Sequence, residues 1–266
     1  PELLYTGAFT ECQVSGRGTG RWYYRVQASN AGGDGAWSDP QSVGVLPDTP
    51  VLGTIENFEG DGDYLVDWND VTGATSYQVE EADNPEFDDA SVVYDDAANQ
   101  YSVTGHETGL WYYRVRASNA GGDSPWSNPQ SVGVVPAAPE LYDIENDDGN
   151  QEYDIIWSVV TGATNYELEE DDDSAFGSAT VKYSGAYSQF HVTGQLPGVW
   201  HYRVRASNAG GYSAWSNVVW LDVPPPPIDP PVLSPIDNGD GDGDYLVAWN
   251  AVEDATAYIL EEDEDP

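Results

Sequence analysis

Carboxylates that lie two residues apart in glycine-containing turns are the side chains of this sequence whose type and spacing could do chemistry. Hard oxygen ligands on a flexible loop suit Ca²⁺. A calcium loop of the helix–loop–helix kind ends in a bidentate glutamate at its twelfth position. Counted from Asn238, the twelfth position here is Trp249, so that kind of site is excluded. We predict either a calcium site of another geometry or, as the favoured interpretation, solvated acidic turns; no cofactor is required. The candidate ligands are Glu59, Asp61, Asp63, Asp148, Asp240, Asp242 and Asp244.

Three histidines, His106, His191 and His201, are the other candidates for chemistry. They fall at unrelated positions, and none has a serine or cysteine nucleophile in a recognisable catalytic motif beside it. Acidic residues are so frequent here that a pair of them carries no information about general acid–base catalysis. We therefore predict that the chain is not an enzyme.

A stretch that occurs three times organises the rest of the chain. It begins at Trp22, Trp111 and Trp200, so consecutive copies lie 89 residues apart and the protein is a tandem array. In each copy aromatic and β-branched residues alternate with polar ones, which is typical of a half-buried strand. The copy ends in Asn-Ala-Gly-Gly, which favours a turn because Asn and Gly accept positive φ. A second short strand follows, so each copy predicts a β-hairpin.

A tryptophan on the second strand of each hairpin is predicted to lie on the outer face, beside the arginines of the first strand. A guanidinium group stacked on an indole contributes about 0.5–2 kcal/mol, depending on its solvation. The favoured interpretation is a stabilising ladder of arginine and tryptophan. The alternative is an aromatic patch, with Tyr23 and Tyr112, that binds a ligand such as a sugar. The ladder residues are Arg25, Trp37, Arg114, Arg116, Trp126, Arg203, Arg205 and Trp215.

These strands resemble strands F and G of fibronectin type III domains, in the form Y-x-[FYV]-x-V-x-A-x-N followed by G-x-S-x-W-S. Upstream residues agree, with a strand led by Pro50 and another that ends in Trp68. The resemblance covers essentially the whole chain. It implies an all-β rod of tandem, immunoglobulin-like β-sandwiches from a secreted or surface protein of a bacterium or archaeon. The tyrosine corner of the family falls here on Trp22, Trp111 and Trp200, whose indole N–H could still donate the hydrogen bond of the corner.

The repeat divides the chain into two complete and two half units. Residues 47–135 and 136–224 are predicted to be complete repeats. Residues 1–46 hold only the C-terminal half of a repeat, and residues 225–266 hold only the N-terminal half, with three predicted strands. The halves are complementary, so either the chain continues into further repeats or a neighbouring copy completes the split domain, head to tail. Short proline-rich linkers favour a rod.

The single cysteine, Cys12, has no partner for an intrachain disulfide. It aligns with Tyr101 and Phe190, which are predicted to point inward. We therefore predict a small core residue and not a reactive thiol.

The charge of the chain limits its partners. There are 47 acidic and 8 basic residues, which gives a formal net charge of −39. Nucleic acid is excluded because phosphate binding needs clustered Lys and Arg, and anionic membrane surfaces are disfavoured for the same reason. No apolar run is long enough to insert into a membrane. Self-repulsion of this size destabilises a compact state, so we expect a saline or a calcium-containing environment.

These observations together predict a structural protein. We expect a subunit of an extracellular filament or surface stalk, whose partners are copies of itself arranged head to tail. The alternative is a calcium-dependent adhesin, or a carbohydrate- or protein-binding module of a secreted protein.

Overall fold

The computed structural model describes residues 1–146, 151–239 and 241–263. This part of the chain is built from β-strands without a helix, so the predicted all-β class is confirmed, and none of its segments is a helix that could cross a membrane. The strands are β1 (Gly20–Tyr24), β2 (Gln27–Asn30), β3 (Gly33–Trp37), β4 (Gln41–Val45), β5 (Tyr64–Asp67), β6 (Ser76–Ala82), β7 (Ser91–Asp96), β8 (Gln100–Val103), β9 (Gly109–Asn119), β10 (Gly122–Asp123), β11 (Gln130–Val134), β12 (Tyr153–Ile156), β13 (Asn165–Asp171), β14 (Thr180–Gly185), β15 (Gln189–Val192), β16 (Gly198–Asn208), β17 (Gly211–Tyr212) and β18 (Val219–Val223).

Residues 47–135 fold into two antiparallel sheets around one core. The smaller sheet pairs β5 with β8, and a bridge between Leu52 and Trp68 adds the first segment of the repeat to its edge. In the larger sheet the order is β10-β9-β6-β7, and β11 also pairs with β9. A register shift between Val79 and Glu80 marks a bulge where β6 pairs with β7.

The alternation of apolar and polar residues determines which face of each strand is buried. In β9 the inward residues Tyr113, Val115 and Ala117 are completely buried. They meet Val66 of the smaller sheet and Val79 of β6 in the same core. The residues between them in sequence point outward, because side chains alternate across a strand.

Residues 136–224 repeat this architecture. Strand β12 pairs with β15, the larger sheet runs β14-β13-β16-β17, and β18 pairs with β16. The bulge recurs between Leu168 and Glu169, and a bridge joins Leu141 to Trp157. The sheet order of the two complete repeats confirms the predicted tandem fibronectin type III-like sandwiches.

The two half units are less regular than predicted. In residues 1–46, β1 pairs with β4 and β2 pairs with β3, but residues 1–19 contain no strand. The described residues of 225–263 form only a bridge between Leu233 and Trp249, so the prediction of three strands there is wrong. The physical reason is the lack of pairing partners. In the complete repeats β5 pairs with β8 and β6 with β9, and these pairs are divided between the two halves.

The same lack of a covering layer changes the position of Cys12. It was predicted to be a small core residue, but the structure leaves it exposed. In a complete repeat the corresponding residue, Tyr101, packs against the core formed by both sheets.

Candidate assembly site

We call residues 1–46, 47–135 and 136–224 the first, second and third repeats. In the second repeat the predicted ladder residues lie together on the outer face of the larger sheet. The guanidinium carbons of Arg114 and Arg116 lie 4.8 and 4.5 Å from the ring centroid of Trp126. Phe87 stacks on the guanidinium of Arg114 at 4.3 Å. Arg114 also donates from Nε and an Nη to Oε2 of Glu80, at 2.8 and 2.5 Å. Two aromatic rings and a carboxylate therefore hold this guanidinium.

The third repeat builds the same ladder with different details. Arg203 and Arg205 lie 4.2 and 4.4 Å from the ring centroid of Trp215. Phe176 lies 4.2 Å from Arg203, and Tyr212 lies 4.0 Å from Arg205. The ladder is thus a recurring feature of the fold.

The glutamates that pair with the ladder arginines were not predicted from the sequence. Arg203 binds Glu169 at 2.6 Å, and Arg205 binds Glu167 at 2.5 Å. In the second repeat Arg116 binds the amide oxygen of Gln78 at 2.6 Å and also pairs with the carboxylate of Asp123 at 3.3 Å. The signal was present, because the glutamates and Gln78 sit on β6 and β13 in direct register with the arginines of β9 and β16.

The first repeat has only part of the ladder. Arg25 lies 4.5 Å from the ring centroid of Trp37, as in the other repeats. In the described chain no carboxylate forms an ion pair with Arg25, and Trp37 is 47% exposed. The strand that would carry the carboxylate is the counterpart of β6, which residues 1–46 do not contain.

A second cluster lies between the two sheets and consists of two tyrosines and a glutamate. In the second repeat the hydroxyls of Tyr64 and Tyr113 are 2.8 Å apart, and Tyr113 donates to Oε2 of Glu81. Since Tyr113 uses its proton for Glu81, Tyr64 donates to Tyr113. In the third repeat Tyr153 and Tyr202 are 2.6 Å apart, and Tyr202 donates to Glu170 at 2.6 Å.

Burial and these acceptors make the tyrosines hard to ionise. Burial raises the pKa of Tyr64 to about 12, and it raises the pKa of Tyr153 to about 12 as well. Burial, followed by the hydrogen bond to Glu81, raises the pKa of Tyr113 further. Tyr202 has its pKa raised for the same reasons, with Glu170 as the acceptor. The tyrosine hydroxyls of both clusters therefore keep their protons through the whole physiological pH range.

Each glutamate of these clusters also has a cationic or titratable partner, which comes from a different place in each repeat. In the second repeat Nε2 of His106 lies 3.0 Å from Glu81. In the third repeat Nζ of Lys182, the only lysine, lies 3.0 Å from Glu170. His106 and Lys182 do not occupy equivalent positions, which is why the spacing of the sequence did not indicate their shared role.

The remaining histidines take other roles. His191 lies on the surface with Nδ1 at 2.8 Å from Asp154. His201 sits on β16, opposite Asp171 in the register of the sheet. Burial acts to raise the pKa of Asp171, but hydrogen bonds from the backbone N–H groups of Ser178 and Asp173 outweigh it and lower the pKa.

The altered corner is observed in all three repeats. Trp22 Nε1 donates to the carbonyl of Gly18 at 2.8 Å. Trp111 and Trp200 donate to the carbonyls of the residues four positions upstream, at 3.0 and 2.8 Å. An indole thus donates the hydrogen bond predicted for this corner.

The joint between the first and second repeats is made by glycines. A Cβ on Gly44 of β4 would lie 1.9 Å from the carbonyl oxygen of Gly121, so the two backbones touch. Asn119, in the same turn as Gly121, donates to the carbonyl of Val45 at 3.2 Å. Arg21 donates across the joint to the carbonyl of Ala120 at 2.8 Å. The Asn-Ala-Gly-Gly turn of one sandwich therefore docks on the last strand of the sandwich before it.

The joint between the second and third repeats uses the same contacts. A Cβ on Gly133 of β11 would lie 2.1 Å from the carbonyl oxygen of Gly210, and Asn208 donates to the carbonyl of Val134 at 3.0 Å. A second contact also recurs. A Cβ on Gly162 would lie 1.8 Å from Oγ1 of Thr108, as one on Gly73 would lie 1.6 Å from Oγ1 of Thr19.

The corresponding positions after the third repeat carry other residues. Asp222 stands where β11 has Gly133, and Pro197 stands where the second repeat has Thr108. Asp254 replaces the glycine of the facing turn, with a φ of 62°. The linker from Val223 to Leu233 is also three residues longer than the corresponding linker before Leu141. The contacts of the first two joints therefore cannot be reproduced here.

The candidate metal ligands lie in exposed turns, where some carboxylates accept backbone hydrogen bonds. Asp61 accepts from the N–H of Asp63 at 3.0 Å, and Asp63 accepts from the N–H of Gly105 at 2.6 Å. Asp242 accepts from the N–H of Asp244 at 2.9 Å. The side chain of Glu59 is exposed. Asp148 and Asp240 lie outside the described residues. Within the ranges that the structure covers, no three His, Cys, Asp or Glu side chains are grouped to hold a metal ion.

No protein-family model matches the sequence. The chain is similar in fold to solved structures of fibronectin type III domains. A mutated domain, FN3tt, is 24% identical over 34% of this chain and 99% of that one, with a TM-score of 0.30. The FN1–FN3 domains of chicken CNTN1 are 16% identical over 77% of this chain and 76% of theirs, with a TM-score of 0.29. A two-domain segment of chicken tenascin is 11% identical over 66% of this chain and 98% of that one, with a TM-score of 0.47.

Proposed function

We propose that this chain is a structural subunit of an extracellular filament or surface stalk, built from tandem sandwiches joined end to end. The repeated joint is the observation that carries this proposal. The same turn contacts the same strand at Gly44 and Gly121, and again 89 residues later at Gly133 and Gly210. A contact that places each unit on the next by one repeated operation, without closing a ring, generates an open linear array.

The way in which the joints are made also supports a load-carrying role. The glycine contacts bring backbone against backbone, and the asparagine side chains add hydrogen bonds to strand carbonyls. Each linker between the sandwiches is short and contains proline, which restricts bending. Orientation is then fixed by packing, and a long flexible linker is not needed.

The competing role, an adhesin or ligand-binding module, receives less support from the aromatic residues. The ring of Trp126 already carries two guanidinium groups, and that of Trp215 carries two as well. These aromatic rings are thus engaged within the fold. An aromatic site for a sugar would need rings whose faces are free.

The charge of −39 favours a saline medium. Charges on neighbouring sandwiches repel each other unless salt screens them, and the Debye length falls from about 10 Å at about 0.1 M salt to about 3 Å at about 1 M.

Electron microscopy of the native material in negative stain tests the proposal. We expect filaments or stalks with beads at the spacing of one sandwich. If the native material consists of discrete, single chains in its natural salt concentration, the structural role is wrong, and the binding-module alternative becomes the better one.

A further inference from the structure

The two small sheets of residues 20–45, β1 with β4 and β2 with β3, and the residues between them expose positions that are core residues in the complete repeats. Val26 is 72% exposed, whereas its counterpart Val115 is completely buried. Val43 is 50% exposed, whereas its counterpart Val132 is buried. A β-branched face of this kind, open to solvent and with an unpaired strand edge, is a surface for association.

The described residues of 225–263 expose the other half of such a core. Leu260 is 54% exposed, whereas its counterpart Val79 is completely buried. Leu233 shows the same contrast with the buried Leu52. The ring of Tyr258 lies 5.7 Å from that of Trp249, as Tyr77 lies against Trp68 in the second repeat, so part of the core geometry is already in place.

The two surfaces match residue by residue when they are placed in the register of β6 and β9. That register sets Glu261 opposite Arg25, as Glu80 lies opposite Arg114. Glu261 would complete the ladder that stops at Arg25. The next outward position has changed on both sides at once. Where complete repeats pair a Gln or Glu with an arginine, the halves carry Ile259 and Gln27. The arginine and its acceptor are thus lost together, which is expected if these two segments pair with each other.

The tyrosine–glutamate cluster is divided between the halves in the same way. Tyr245 and Glu262 lie in one half, and the hydroxyl of Tyr245 donates to Glu262 at 3.2 Å. The second tyrosine of the cluster corresponds to Tyr24, in the other half.

The cation for that glutamate is also in the other half. Arg17 occupies the position of His106 and lies 5.0 Å from the ring centroid of Trp22, much as His106 lies 4.4 Å from Trp111. One Nη of Arg17 pairs with Glu2 at 3.1 Å, whereas its Nε is buried and has no hydrogen-bond partner among the described residues. Each cluster would thus pair its glutamate with one basic side chain.

We infer that residues 232–239 and 241–263 of one copy dock on the two small sheets of residues 20–45 in a second copy of this chain and complete a sandwich with them. The segment from Tyr258 to Glu262 becomes a strand by adding to the free edge of β1 and β2, antiparallel, and the segment around Tyr245 covers the exposed face. A heterologous contact of this kind does not close on itself, so it extends the array. This inference rests on the proposed function and specifies how one subunit is joined to the next.

The experiment uses the full chain with Arg25→Glu or Glu261→Arg, measured by sedimentation velocity over a range of concentrations at high salt. The unaltered chain should associate as concentration rises. Each variant alone sets like charges against each other at the interface, so its apparent Kd should rise more than about tenfold. An equimolar mixture should associate again, because each interface between unlike copies then pairs Arg with Glu. Arg114→Glu, inside a complete repeat, is the matched control and should leave association unchanged.

The result that overturns the inference is an unaltered chain that stays monomeric, or a mixture that associates no better than the separate variants. Association that returns in the mixture shows that both variants are folded, because each chain carries the same substitution in the mixture as it does alone. The test is also separable from the proposed function. If native material forms filaments but the mixed variants do not associate, the proposed function stands and joining by a second copy is refuted. If the mixed variants associate but native material forms no filaments, joining by a second copy stands and the filament is refuted.

Discussion

Gly133 of the second repeat and Gly210 of the third meet backbone to backbone, so closely that a Cβ on Gly133 would lie 2.1 Å from the carbonyl oxygen of Gly210. Gly133 lies within β11 and does not have a positive φ, so its backbone would accept alanine without strain. The glycine is needed for the approach of the neighbouring sandwich. A glycine inside a strand is otherwise unfavourable, and close backbone approach is one of its few uses.

Gly133→Ala is therefore expected to separate the second and third sandwiches while leaving each one folded. Spin labels at Ser91→Cys and Thr180→Cys, in a Cys12→Ser background diluted with unlabelled chain, would report the distance by double electron–electron resonance. We expect a longer and broader distribution with Gly133→Ala. Gly177→Ala is the control, because a Cβ at Gly177 meets nothing within 4 Å. Equal distributions for both variants would show that the glycine contact does not set the joint.

Removal of the indole at the centre of the ladder should destabilise one sandwich. Trp126→Ala takes away the stacking partner of two arginines, at a cost of about 2 kcal/mol in the free energy of unfolding. Urea unfolding at fixed salt measures it. Tyr187→Ala, at a side chain that is 78% exposed, serves as the control and should cost less than about 0.5 kcal/mol. If Trp126→Ala has no effect on stability but abolishes binding of a ligand, the ladder is a binding patch.

The tyrosine clusters should make the fold sensitive to alkali. The folded pKa of Tyr64 is raised to about 12, above the value of about 10 in the unfolded chain, so its contribution to stability is complete below about pH 10. It is lost as pH rises from about 10 to about 12, at about 1.4 kcal/mol per pH unit for each such tyrosine. With Tyr64→Phe and Tyr153→Phe together, the free energy of unfolding should fall less steeply with pH, because each complete repeat then has one titrating hydroxyl fewer. Unchanged steepness in urea titrations across this range would contradict the role of these hydroxyls.

Salt should stabilise the chain by screening, without a specific effect of calcium. The carboxylates of Asp61 and Asp63 accept backbone hydrogen bonds in an exposed turn, as solvated turn residues do. Melting temperatures should therefore rise with sodium chloride and be equal in calcium chloride of matched ionic strength. An additional rise with Ca²⁺ that Asp61→Asn and Asp63→Asn remove would instead establish a metal site.

The features that repeat at one spacing could be predicted from the sequence. The hairpins, the inward alternation of Tyr113 and Val115, and the placement of Arg114 beside Trp126 all follow from a strand period of two and a repeat of 89 residues. The all-β class followed for the same reason. The metal ligands and the domain boundaries stay predictions.

The features that depend on contacts between distant segments were not predictable in this way. His106 and Lys182 have the same role from different positions, so no spacing links them. Gly44 and Gly133 do recur in strands, but their purpose became visible only with the turn of the following sandwich against them. Residues 225–266 were predicted to form three strands from their residue pattern, yet a strand needs a partner, and the pattern alone does not provide one.

Asp222, which replaces the glycine of the first two joints, should give the chain an uneven mechanical response. Two joints are held by backbone contact, whereas the third has Asp222 in place of the strand glycine and Pro197 in place of the threonine. When such a chain is pulled or bent, the strain should concentrate at Asp222 to Leu233 before any sandwich is loaded to the point of unfolding. A fibre of these chains would then have one compliant point in every three sandwiches, so it could flex in moving water while its folded units stay intact.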